Sequence, residues 1–262
     1  MYNRLSIPNY TRFSVDSRYV PPIILADFDS LTVGAIDETN ITSPTLAELD
    51  TSTTGGSWSF FGVTRGLGYI RADAGGSDQA LEISTGSTGG FGDWAGRLDF
   101  DTPVTVSSFG IGHLEIKFTA STNRSTGFTR QARWDINDGT TNLVRVLFKD
   151  GNVYLNGNNI GQVSTHQDNY KVDPWDSTAT PVYIAGIFDV IYDITIKIYG
   201  DGSVDLSFQG TSGASGTTDS LPAGTVSTTA DVSRLENNYN LTNGGMGMYY
   251  SAISVYPRGW SV

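Results

Sequence analysis

Cysteine is absent from this chain, so disulfide frameworks and thiolate chemistry are excluded and the redox compartment is left open. Histidine occurs only as His113 and His166, and no Gly-x-Ser-x-Gly elbow is present, which leaves a thin inventory for nucleophilic catalysis. Positive charge is scarce as well: 16 Lys and Arg stand against 27 Asp and Glu, a net charge of −11. The phosphate-neutralising surface that nucleic-acid binding needs is therefore missing. No stretch approaches the roughly 20 apolar residues that span a bilayer, and the N-terminus lacks the run of about 7 to 15 apolar residues of a secretory leader. With Met1 reading as a native start, the chain carries no mark for the general secretory route. Helical periodicity is nearly missing too. Only "SPTLAELDT" suits a turn or two of helix, with Ser43 as cap and Pro44 at the first helical position.

What is present points to strands. The 262 residues are 38% hydrophobic, enough for one large all-β domain with a real core, and 31 glycines among many Ser, Thr, Asn and Asp describe short strands joined by tight turns. In "YDITIKIYGDGSVDLSF", Ile194, Ile196 and Ile198 alternate with polar residues, as do Val204, Leu206 and Phe208 after the glycine turn, predicting a hairpin with one buried face. "HLEIKFTAS" turns Leu114, Ile116 and Phe118 one way and His113, Glu115 and Lys117 the other. "NLVRVLFKDGNVYLNGNNI" predicts a second hairpin around Asp150-Gly151, and "ALEIST", "GRLDFDT" and "YYSAISVYP" add further strands. The Gly/Ser/Thr-rich "QGTSGASGTTDSLPAGTVSTTAD" reads as a long surface loop, and no internal repeat or linker divides residues 26 to 262. Two packed antiparallel sheets follow.

The segments "ADFDSLTVGAI", "GGSWSFFG", "DQALEIST", "HLEIKFTAS", "YDITIKIYGDGSVDLSF" and "MGMYYSAISVYP", in this order, resemble the concanavalin A-like lectin/glucanase superfamily, in particular the laminin-G-like jelly rolls of bacterial and phage surface proteins. The resemblance implies an all-β jelly-roll sandwich of two antiparallel sheets. It also makes a structural Ca²⁺ an expectation to test. The superfamily includes lectins, glycosidases, lyases and structural modules, so fold alone selects none of them.

Enzyme signatures of that superfamily are not found. Its glucanases use a Glu-x-Asp-x-x-Glu strand, which sets two carboxyls about 5 Å apart across a glycosidic bond. Here the glutamates are Glu38, Glu48, Glu82, Glu115 and Glu236, none close to another in sequence, and the Arg-rich, Gln-x-His and Tyr-rich motifs of alginate lyases are absent. Asp99 and Asp101 share a strand face and could do acid/base work or hold a cation, but with Leu98 and Phe100 facing inward they read as a solvated outer face. Asp27 and Asp29 around Phe28 read the same way. "DINDGTTN" offers Asp135, Asn137 and Asp138 as hard oxygen ligands, although the glycine comes one position too early for an EF-hand loop and a plain hairpin turn is the simpler reading.

The polar insertion "GQVSTHQDNYKVDPWDSTATP" carries His166, Asp168, Asn169, Tyr170 and Trp175. Rings for a sugar face and polar groups for its hydroxyls make it a candidate glycan site, and the same aromatics equally serve as loop anchors. Trp58, Trp94 and Trp134 fall in strand contexts and read as core or interface packing.

The N-terminal residues 1 to 25 stand apart from the predicted jelly-roll domain, residues 26 to 262. They carry Arg4, Arg12 and Arg18 against a single Asp16, with Tyr2, Tyr10, Phe13 and Tyr19 as apolar anchors and prolines that oppose regular structure. Extended, such an arm reaches roughly 75 to 85 Å, suited to docking on an acidic neighbour. The alternative is that it lies across its own sandwich and covers a sheet edge. These features lead to the expectation of a non-enzymatic structural or decoration protein of a virus particle, of a phage in particular, displayed on the virion surface. Its partners would be other virion or assembly subunits, it would be a homo-oligomer, and it would carry no cofactor beyond a structural Ca²⁺. The alternatives are a carbohydrate-binding adhesion module, extracellular or on a bacterial cell surface, and a diverged polysaccharide hydrolase or lyase.

Overall fold

The computed structural model describes residues 22–28, 30–31, 34–36, 46–61, 66–72, 79–85, 94–122, 130–149, 151–163, 192–210, 215–241 and 247–258. Among them the chain forms two antiparallel sheets. One is ten-stranded: β1 (Ile24–Asp27), β2 (Gly34–Ile36), β3 (Thr53–Thr54), β5 (Gly66–Ala72), β6 (Gln79–Thr85), β8 (His113–Thr122), β13 (Tyr192–Tyr199), β14 (Val204–Gly210), β15 (Thr217–Leu221) and β17 (Gly247–Arg258). The other is seven-stranded: β4 (Gly56–Phe61), β7 (Trp94–Thr105), β9 (Arg130–Asn137), β10 (Asn142–Lys149), β11 (Asn152–Leu155), β12 (Asn158–Gln162) and β16 (Asp231–Leu241). Helix is confined to α1 (Leu46–Thr51), where "SPTLAELDT" predicted it, and a 3₁₀ turn at Val106–Phe109. This is the all-β jelly-roll sandwich that the sequence led us to expect.

The ten-stranded sheet runs β15-β14-β13-β8-β17-β6-β5-β2, with β1 beside β17 and β3; the seven-stranded sheet runs β12-β11-β10-β9-β16-β7-β4. Period-two alternation turns one side of every central strand into the space between the sheets. There Ile116 lies opposite Ile196, and Phe118 opposite Ile194, which in turn faces Phe208. All five are buried, together with Leu98, Trp134, Ile136, Val144 and Val146 from the facing sheet. Aromatic rings bridge the two layers: Trp134 lies 5.8 Å from Phe118 and 6.0 Å from Phe208, and Phe208 lies 6.0 Å from Phe148, while Tyr192 packs on Phe208 at 4.9 Å from within the same sheet. Each such ring contributes roughly 1.5 to 3 kcal/mol through area removed from water.

The two hairpins form as predicted. Gly151 has φ +81° in the β10–β11 turn, and Gly202 has φ +79° between β13 and β14. A Cβ at Gly202 would also lie 2.0 Å from the Val226 carbonyl oxygen, so two independent constraints demand glycine there. Trp58 and Trp134 are core residues; Trp58 donates through Nε1 to Thr53 Oγ1 at 2.9 Å.

One segment differs from its expected form. Within the stretch read as a loop, Thr217–Leu221 is an edge strand, β15, paired with β14. Its residues are only half-buried on alternate positions, so no hydrophobic alternation betrays it. Thr217 Oγ1 donates to the Ile160 carbonyl of β12 at 2.8 Å, linking the edges of the two sheets. At the other end, Ile24 and Leu25 pair with Val255 and Ser254, and Ile24 is fully buried, so the last residues of the segment read as an arm are sheet residues. Tyr2, Arg4, Tyr10, Arg12, Phe13, Arg18 and Tyr19 lie outside the described residues.

Candidate functional site

The outward side of the seven-stranded sheet is set by the same alternation that fills the core. Leu98 and Phe100 point inward from β7, so Arg97, Asp99 and Asp101 point out; Trp134 and Ile136 fix Arg133, Asp135 and Asn137 outward on β9. Likewise Leu235 turns Arg234 and Glu236 out of β16, Val144 and Val146 turn Arg145 out of β10, and Val153 and Leu155 turn Tyr154 out of β11. Four of the twelve arginines of the chain therefore share one face.

Register then aligns them. Arg97 is opposite Glu236, Glu236 opposite Asp135, and Asp135 opposite Arg145, so a row of charges crosses four adjacent strands. Opposed like charges destabilise a sheet, and here each carboxylate is met by guanidinium. Arg97 Nε donates to Glu236 Oε2 at 2.8 Å. Arg145 holds Asp135 in a two-point grip, Nε to Oδ1 at 2.8 Å and Nη2 to Oδ2 at 3.2 Å, and Arg133 Nε approaches Oδ2 at 2.8 Å. The Asp135 side chain is 1% exposed beneath Arg133 and Arg145, which are 30% and 38% exposed. The bond to Asp135 raises the Arg145 pKa further, against its burial and with help from the charge of Glu236. In the next row Arg234 is opposite Asp99 and pairs with it through Nε. Tyr154 faces Leu147, one strand beyond Arg133 and diagonal to Arg145, within the reach of a ring across a ladder.

This geometry places several residues singled out from the sequence. Asp99 is ion-paired, whereas Asp101 is solvent-exposed. The three oxygen-bearing residues of "DINDGTTN" are not brought together as ligands. Asp135 is taken up by arginines, Asn137 Oδ1 accepts from the Gly139 N–H at 3.0 Å, and Asp138 Oδ1 accepts from the N–H groups of Thr141 and Thr140 at 2.6 and 2.9 Å. Those bonds, from Thr141 first, hold the Asp138 carboxyl below the usual range. Among the described residues no group of three His, Asp or Glu side chains is placed to hold a metal ion, and these residues do not fit a Ca²⁺. His166, Asp168, Asn169, Tyr170 and Trp175 lie outside the described residues.

Sequence reasoning missed Arg97, Arg133, Arg145, Arg234 and Glu236 as a group. Each adjoins an inward-facing hydrophobe, which was readable, but Arg97 and Glu236 are 139 positions apart and nothing local says that their strands adjoin.

A second polar cluster lies on the outward side of the ten-stranded sheet. Glu115, 10% exposed at its side chain, is met by Lys117 Nζ at 3.2 Å, Arg258 Nε at 3.3 Å and His113 Nε2 at 4.0 Å. Burial raises its pKa, but the Lys117 hydrogen bond and the charges of Lys117 and Arg258 outweigh this and leave it lowered. Tyr199 donates to Asp205 Oδ2 at 2.6 Å and Ser220 donates to Asp205 Oδ1 at 2.7 Å. The bond to Asp205 pushes the Tyr199 phenol up to about 12.

No protein-family model matches this chain, and no curated protein sequence matches it either. Similar solved structures include lectin II from Ulex europaeus (10% identity, TM-score 0.43, covering 76% of this chain and 97% of the lectin). A carbohydrate esterase from the Shiga toxin-encoding bacteriophage phi24B is 12% identical, with TM-score 0.46 and coverage of 90% and 98%. The binding domain of botulinum neurotoxin DC, solved with rat synaptotagmin II, is 9% identical, with TM-score 0.47 and coverage of 92% of this chain and 49% of that one.

Proposed function

We propose that this jelly roll is a non-enzymatic glycan-binding module that works at the outside of a particle or cell, with the outward side of the seven-stranded sheet as its binding surface. The row Arg97–Glu236–Asp135–Arg145, with Tyr154 at its diagonal, carries the reading. Planar guanidinium donors on a sheet match the oxygens of a sugar's paired hydroxyls, and an adjacent ring covers its apolar face. Catalysis is disfavoured by the same geometry. Asp135 is buried beneath two guanidiniums, so it cannot reach a glycosidic oxygen as the second carboxyl of a hydrolase must. The test is affinity electrophoresis through immobilised polysaccharides, alongside a reducing-end assay. Retardation that Tyr154→Ala weakens supports the reading; no retardation in any polysaccharide, or sugar release lost in Glu236→Gln, overturns it.

A second reading adds a docking role in a virus particle. Residues 1 to 25 carry a charge of +2, three arginines less one aspartate, leaving −13 for the rest of the −11 chain. A basic, aromatic segment ahead of an acidic sandwich suits attachment to an acidic neighbouring subunit. Because Ile23 already bonds to Val255, the deletion to make is residues 1 to 21. Loss of incorporation with unchanged melting supports docking, and unchanged incorporation refutes it.

A further inference from the structure

We infer that the glycan bound on this face is acidic, a carboxylate or sulfate group on one of its sugars seating against Arg133 and Arg145; this rests on the glycan reading above. The motive is a local mismatch of charge. Asp135 is one carboxylate, and two guanidiniums converge on it. The nearest further acid along the row, Glu236, accepts its hydrogen bond from Arg97 and acts on Arg145 through its charge alone.

The two arginines are also incompletely used. Arg145 employs Nε and Nη2 on Asp135. Arg133 approaches only through Nε, and although that atom is 2.8 Å from Oδ2 it is buried without an aligned acceptor, so the contact is one of charge rather than a hydrogen bond. Among the described residues no acceptor meets the Arg133 Nη groups or Arg145 Nη1. About a third of each side chain remains open to solvent. Outward-facing guanidinium N–H groups with one positive charge in excess match the oxygens of a carboxylate or sulfate, which they bind in pairs. A neutral sugar would leave that excess uncompensated. Tyr154, diagonal to Arg145, then lies where the ring of the same sugar can rest on it.

Bulk attraction cannot imitate such selectivity, because the chain as a whole carries −11 and repels polyanions. The experiment uses the full chain and three probes: polygalacturonate for carboxylate, carrageenan for sulfate, and dextran as a neutral polymer. Binding is measured by affinity electrophoresis at two salt concentrations. At least one acidic polymer is expected to bind about tenfold tighter than dextran, with Arg133→Gln and Arg145→Gln each removing most of that difference. Arg133→Lys, which keeps the charge and loses the planar fork, is expected to fall between wild type and Arg133→Gln. Thermal melting of each variant establishes that it is folded. Equal affinity for all three polymers, or an acidic preference that survives both Gln variants, overturns the inference. Binding to dextran alone overturns it while leaving the glycan reading intact, and failure to bind any polysaccharide tested removes both.

Discussion

The outward sides of the two sheets face the same difficulty and resolve it differently. Each carries a carboxylate held close to the sheet, Asp135 on one and Glu115 on the other, and each gathers several cations around it. On the ten-stranded sheet the cations are of mixed type. Lys117 is half-exposed, Arg258 also lies over the Tyr256 ring at 4.4 Å, and Lys197 sits in register between Glu115 and Asp205, so acid and base alternate along the ladder. Tyr199 and Ser220 then complete the shell of Asp205 from within the sheet. Around Asp135 and Glu236 the seven-stranded side uses arginine alone, with the two carboxylates adjacent and guanidiniums outside them. The cations of the first arrangement are the more exposed, Lys117 at 49% and Arg258 at 45% against 30% for Arg133 and 38% for Arg145, so the two sides differ in the kind and order of their cations and not in how open they are.

The two outward sides rest on one shared core, which can be broken first. Phe208→Ala removes the ring that meets Trp134, Tyr192 and Phe148 between the sheets; a loss of about 3 to 5 kcal/mol is expected by chemical denaturation, with both outward sides weakened together. A loss under about half a kcal/mol would place it outside the core.

Next, the two carboxylates can be set against each other. Asp135→Ala leaves two guanidiniums without their partner, and is expected to cost about 2 kcal/mol once the partial exposure of the arginines is discounted. Glu115→Gln, which keeps a hydrogen-bond acceptor among more exposed cations, is expected to cost about 1 kcal/mol. Urea denaturation of both variants gives the order, and the reverse order would contradict the distinction between the two sides.

Titration sharpens the contrast, since the only described histidine lies on the ten-stranded side. Burial, followed by the charge of Lys197, lowers the His113 pKa below its ordinary 6.5. The unfolded chain therefore takes up the proton first as pH falls, so stability declines from pH 6.5 downward until the folded state also protonates. His113→Gln should flatten that part of the melting-temperature profile. Below it, Glu115 and Asp205 have lowered folded pKa values, so their stabilisation, full above the ordinary carboxylate range, is lost as pH falls through the folded values. An unchanged slope near pH 6 in the variant would show that His113 does not contribute.

Tyr154→Ala, on the exposed side of β11, is expected to change stability by less than about 0.5 kcal/mol while reducing retardation in polysaccharide gels. A large loss of stability would mean that the ring serves the sheet and not a ligand.

How much of this could be read from the chain depended on the range of the interaction. The hairpin of Ile194 to Phe208 and its burial were legible because alternation and a glycine turn are local signals. Asp99 and Asp101 were correctly placed on an outward face, but Arg234, which pairs with Asp99, comes 135 positions later and could not be foreseen. "DINDGTTN" reads first as a hairpin turn and second as a set of oxygen ligands, and neither reading reveals that Asp135 is met by Arg133 and Arg145, partners that the ladder sets. β15 was missed because an edge strand that buries neither side leaves threonine and serine without a pattern to follow.

The charge row has a consequence for how the chain acquires its surface. Asp135 and Arg145 belong to neighbouring strands of one hairpin and are ten positions apart, so their contact closes a short loop. Arg97 and Glu236 close one of 139. Long closures are entropically dearer and are made late in sheets of high contact order. The row should therefore be written from one end, the Asp135–Arg145 pair first and the β7–β16 pair last. A fragment spanning only the β9–β10 hairpin would contain one pair of the row but no continuous surface, and ligand affinity regained during refolding would time the arrival of the last strand pairing.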